Sequence, residues 1–152
     1  MGIGWRERRR QVNAVLAAGC ALVLAACASP VNVSSSVAAA LEKIPPANID
    51  LYGPAYERQQ WRNPYLQVQK EGVIVMLESG WTLSKPLTTD EMATVLSRMP
   101  SGAWPYGRVV WVGEYDTKVP ADDKVAHANY VKVLAALKQL KIMAVEWPPL
   151  SG

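Results

Sequence analysis

The sequence has no phenylalanine, one histidine and two cysteines among its 152 residues. A lone histidine cannot build a histidine cluster, and two cysteines cannot supply a four-thiolate zinc site. No G-x-S-x-G elbow, phosphate-binding glycine loop or H-E-x-x-H helix is present, so no local signature of a hydrolase, nucleotide enzyme or zinc peptidase can be read. The longest uncharged, mostly apolar run, Val12 to Ala26, falls short of the ~20 residues that a spanning helix needs.

What is there begins at the N-terminus. Arg6, Arg8, Arg9 and Arg10 form a basic head, the apolar run follows, and small residues close it. This is the shape of a secretory signal. Leu24-Ala25-Ala26-Cys27 then resembles the lipobox of bacterial lipoproteins. The resemblance implies cleavage between Ala26 and Cys27, a diacylglycerol (commonly joined by palmitate) on Cys27, and an acylated new amino group. One acyl chain binds a membrane marginally whereas two or three hold it, so the resemblance implies stable anchoring. The plainer alternative is a secreted chain cut near Ala26 with Cys27 free. Cys20 lies inside the apolar run, and cleavage there would truncate it. Residue 28 is Ala rather than Asp, which by enterobacterial sorting rules implies the outer membrane of a Gram-negative cell, facing the periplasm.

Of the 16 basic and 13 acidic residues, four arginines and Glu7 precede Cys27, leaving twelve of each sign afterwards. The basic balance therefore belongs to the leader. A neutral remainder gives no electrostatic case for nucleic acid, which asks for a basic patch or stripe. With Cys27 lipidated, no thiol remains for a disulfide, a nucleophile or a metal. No metal and no cofactor is expected.

Residues 27–63 read as a Pro/Ser-rich tether, punctuated by Ser34-Ser35-Ser36, Pro45-Pro46 and Gly53-Pro54. Within it, Ser36 to Ile44 has the pattern of a short helix, marginal on its own. Tyr52, Tyr56, Trp61 and Tyr65 are either rings that dock the tether onto the domain or a sticky surface for a partner.

Residues 64–148 read as one small domain, with 149–152 a tail. Leu66–Gln69 alternates like a half-buried strand, Glu71-Gly72 turns, and Val73–Leu77 is a continuous apolar run. Thr88 with Glu91 three residues on is a capping box, opening a helix with Met92, Val95, Leu96 and Met99 as its buried stripe. Arg108–Gly113 is the next strand and Glu114–Ala121 a polar loop. Asp122 or Asp123 caps a second helix to about Leu140, and Ile142–Trp147 is the last strand. The order β-β-α-β-α-β predicts an α+β two-layer sandwich: a small mixed sheet with two helices on one face. The strands at 73–77 and 109–112 place no polar residues outward, so something must cover the second face. The candidates are the tether aromatics, a second copy or another protein.

The pattern Leu66-x-Val68, Gly72-x-Ile74-x-Met76, a capped helix ending at Pro100, the strand Val109–Val112 and the closing Ile142–Trp147 strand resembles the periplasmic domain of ExbD/TolR-type biopolymer transport proteins. Asp116 stands near that family's aspartate. Two departures are plain: no transmembrane helix carries a proton-handling aspartate, and the Asp116–Asp123 segment is longer than the family's loop. The resemblance implies a fold, dimer formation and contact with the cell wall.

The function expected is a lipid-anchored, non-catalytic accessory protein of the envelope that binds a partner protein or itself. The alternative is a peptidoglycan or small-ligand module, with Trp81, Trp104 and Tyr106 stacking on sugar rings and Arg108 pairing a carboxylate. A small hydrolase is the remaining option. Its carboxylates would be Glu78 and Glu114, each just after a central strand, with Asp116, Asp122, Asp123 and His127 as further titratable groups.

Overall fold

A computed structural model describes residues 33–77, 85–146 and 150–151. Four helices and a mixed sheet form a single α+β unit: α1 (Ser35–Glu42), α2 (Ile49–Glu57), β1 (Tyr65–Gln69), β2 (Gly72–Met76), α3 (Thr89–Arg98), β3 (Val109–Asp116), α4 (Pro120–Gln139), β4 (Met143–Glu146) and β5 (Leu150–Ser151). The sheet order is β2-β1-β3-β4, with β5 pairing β3 beyond β4. β1 and β2 are antiparallel; β1, β3 and β4 are parallel.

The hairpin turns at Lys70-Glu71, and Gly72 follows at φ 138°, a conformation that suits glycine alone. From there to β3 the chain must cross over, and α3 makes the crossing. Its start is fixed as the sequence suggested: Thr88 accepts from the Glu91 amide, and Glu91 Oε2 accepts from the Thr88 amide at 2.8 Å. Those bonds, the backbone one first, hold the Glu91 carboxyl below its ordinary range.

Alternation puts Leu66, Val68, Val73, Val75, Val110 and Val112 on one face, where they meet Met92, Ala93 and Leu96 of α3 and Val133, Ala136 and Leu137 of α4. Tyr65, Val109, Trp111 and Val145 point the other way. β3 is buried on both faces from Val109 to Gly113, which is why it reads as an uninterrupted apolar run.

Several boundaries differ from the sequence reading. The second long helix opens at Pro120 behind Val119, with no side-chain cap, so Asp122 and Asp123 lie in its first turn instead of capping it, because Pro at the first position already sets the helical φ. Residues 33–63 are part of the folded unit rather than a tether. Leu41 has no exposure, Ile44 is buried, and Val33 and Val37 pack on the same core, so α1 sits against α3 as a third helix on that side. Its cap is Ser34, not Ser36. The helix α2 was not anticipated. Pro54 lies within it, and Gly53-Pro54 on the page looks like a turn because tertiary packing is invisible there. Lastly, Glu114–Asp116 extends β3 instead of looping, since β5 pairs with Tyr115 and Asp116. The leader, residues 78–84 with Glu78 and Trp81, and residues 147–149 lie outside the described residues.

Candidate functional site

The second face of the sheet is where the former tether goes. After Ile44 the chain passes the mouth of β3: the Arg108 amide donates to Pro45 O at 2.8 Å, and the Asn48 amide to Tyr106 O at 3.1 Å. Gly107, at φ 79°, permits this crossing; a Cβ there would run into the Pro45 and Pro46 carbonyls. α2 then lays its rings over the far side of β3. Tyr56 meets Trp111 edge-on at 5.9 Å, Tyr52 meets Trp61 at 6.3 Å, and Trp61 leans on Trp111 at 5.3 Å. Of the two roles open to these aromatics, docking is the one realised.

Asn63 locks the arrangement. It is the buried polar residue among those described, 1 % exposed. Its Nδ2 donates to Gly107 O and Val109 O, each at 2.7 Å, and its Oδ1 accepts from the Tyr106 amide at 3.0 Å. One side chain thus satisfies three backbone groups at the start of β3.

The surface expected from Trp81, Trp104, Tyr106 and Arg108 is not assembled as such. Trp104 is a correction: it is 3 % exposed and fills the helix-side core with Leu41, Ile44 and Leu140. A large apolar ring gains more from burial than from waiting on the surface. Tyr106 is half-buried against Trp61 at 5.5 Å, and its hydroxyl donates to Gln60 O. Arg108 is half-buried at the foot of α1; its Nε and Nη1 are buried without an acceptor among the described residues. Nearby Glu42 is taken by Lys141 at 2.9 Å. That hydrogen bond, chiefly, keeps its carboxyl below the ordinary range. Trp81, with Ala26, Cys27 and Glu78, lies outside the described residues.

A polar group that the sequence did not pair appears at the other end of the sheet. Glu114, two residues past inward-facing Val112, reaches His127 on α4: Oε2 and Nδ1 are 3.1 Å apart. The His127 ring stacks on Tyr130 at 6.3 Å. Burial, and after it the charges of Glu146 and Glu114, push the Tyr130 hydroxyl up to about 12. Chemically, a carboxylate orients an exposed imidazole beside a phenol that keeps its proton at neutral pH. The helical stripe of α4 hinted at it, because His127 follows buried Ala126 and precedes Tyr130 by three. Neighbouring acids do structural work: Asp123 Oδ1 accepts from the Thr117 amide and hydroxyl, Asp116 from the Lys118 amide, and Asp122 pairs with Lys70. Among the described residues no three His, Cys, Asp or Glu side chains gather as metal ligands, and no helix is long and apolar enough to cross a membrane.

Comparison with family models, curated proteins and solved structures gives no match.

Proposed function

We propose that this chain is a lipid-anchored envelope protein, tied to the membrane through Cys27, whose folded unit works by binding a partner protein rather than by catalysis. What carries the reading is a juxtaposition. A lipobox-like Leu24–Cys27 is followed, six residues after the cysteine, by Val33, already packed on the core of a self-contained unit. Both faces of the central strand β3 are filled by the chain's own residues, so the unit needs no second chain to complete its core and is free to present its surface. Glu114–His127 is a solvent-facing pair, and Tyr130 holds its proton to about 12, too high for a phenolate to act near neutrality.

Affinity purification of the full-length protein from crosslinked, detergent-solubilised envelopes, beside a Cys27→Ser control, tests this. Other envelope proteins recovered with the anchored form and lost from the control are the expected result. Recovery of the chain alone in both would contradict a partner-binding role.

A second reading, a carboxylate-bearing ligand at Arg108, starts from its acceptor-free Nε and Nη1, which are buried and would meet a ligand only once the side chain turned outward. Isolated cell-wall sacculi that left the protein in the supernatant would count against its peptidoglycan form.

A further inference from the structure

We infer that the outward face of α4 lies on the lipid bilayer itself. The inference rests on the anchoring of Cys27 proposed above and adds which surface meets lipid. The first observation is the length of the leash. Val33 packs against the core, and only six residue steps separate it from Cys27. At about 3.3 Å per step a fully extended leash reaches about 20 Å. Helix α4, of 20 residues, is itself about 30 Å long. Such a leash keeps the Val33 side of the unit within about 20 Å of the headgroups, less than the length of α4, so one face of the unit is held turned towards them.

The second observation selects the face. Between Lys124 and Val145 the chain carries four lysines and no acidic residue. Ala126, Val133 and Leu137 turn inward. At 100° per residue the opposite arc holds Lys124, Ala128, Val131, Ala135 and Lys138, with Val125 and Lys132 at its margin. Val125 is 48 % and Val131 52 % exposed, and the three lysines are exposed as well. Apolar side chains set among lysines make a surface suited to anionic headgroups. The valines enter the interface, and the lysine stems lie along it while their ammonium groups stay with the phosphates. The acids of α4 itself, Asp122 and Asp123 in its first turn, are engaged by Lys70 and by Thr117. Glu42 lies on α1, Asp90 and Glu91 on α3, and Asp50 and Glu57 on α2, so the exposed Ile49 and Leu51 of α2 sit among acids rather than lysines.

The test has two arms. In the first, the mature chain with Cys27→Ser is titrated with vesicles of phosphatidylcholine alone and with an added third of phosphatidylglycerol. Binding to the anionic vesicles, weakened by salt, is expected. The Lys124→Gln/Lys132→Gln/Lys138→Gln variant should partition roughly a hundredfold less, about a factor of five per lysine. Equal binding by variant and parent, or none by the parent, overturns the assignment. In the second arm the lipidated full-length protein is reconstituted with a fluorophore on Ala128→Cys or, on the far side of the sheet, on Glu57→Cys. A quencher buried in the bilayer should dim the first and spare the second. Equal dimming overturns the proposal, as does a dimer mass in detergent with the Ala128 labels in contact, which would give this face to a second copy. Failure of anchoring is distinguishable, since an unacylated Cys27 shows in the mass of the protein while the vesicle titration still judges α4.

Discussion

Asn63 bonds three backbone groups, of which Gly107 O also accepts from the Val109 amide at 2.8 Å. Its removal takes the side-chain partner from the Val109 carbonyl and the Tyr106 amide, and each stranded group costs about 1–3 kcal/mol. Asn63→Ala should therefore lower unfolding stability by about 3 kcal/mol in a urea titration, with the slope unchanged. A loss within ordinary surface variation would show that water replaces the side chain. Tyr130 makes the residue-scale pH prediction. Its folded-state value of about 12 lies above the ordinary phenol value of 10. The unfolded chain thus releases this proton first, and stability falls as pH climbs from about 10 towards 12. Tyr130→Phe should flatten that alkaline limb; an unchanged limb would remove Tyr130 as its source. Neither role stands out on the page. An asparagine before a proline reads as a turn, and a tyrosine on a helical stripe reads as core.

At the scale of the element, legibility followed the source of each element's stability. α3 was readable to the residue because its start is set by local chemistry, Thr88 and Glu91, and its core face repeats at helical spacing. The parallel strands were readable because burial on two faces leaves a run of apolar residues. α1 and α2 were obscured because each is short and held by contacts far away in sequence, Leu41 on the core and the tyrosines on Trp61 and Trp111. Short helices owe most of their stability to such packing. Trp104 failed for a related reason: an aromatic in a proline- and glycine-rich loop looks exposed until a core closes over it. Trp61→Ala should uncouple α2 from the sheet, at a cost of about 3–5 kcal/mol. Near-ultraviolet circular dichroism should fade while the far-ultraviolet signal loses no more than the nine residues of α2. A full near-ultraviolet spectrum would mean that α2 is held by something other than this ring.

For the whole molecule, the fold resolves what the composition left open. A sheet with an apolar second face needed a cover, and the chain supplies its own: residues 45–64 wrap from the helical side to the far side and seal Trp111. That same wrap consumes most of the length that looked like a tether, so the unit begins six residues after Cys27, the position proposed to carry lipid. On the proposed reading, place and reach come from the N-terminal stretch, while a partner would be recognised by surface residues that carry no local signature.

The mass of the intact protein extracted from membranes tests the anchoring directly. A lipid-anchored chain gives the mass of residues 27–152 plus a diacylglyceryl group and an N-terminal acyl chain, and Cys27→Ser abolishes the addition. A mature chain with an unmodified Cys27, or one still carrying its first 26 residues, would contradict it.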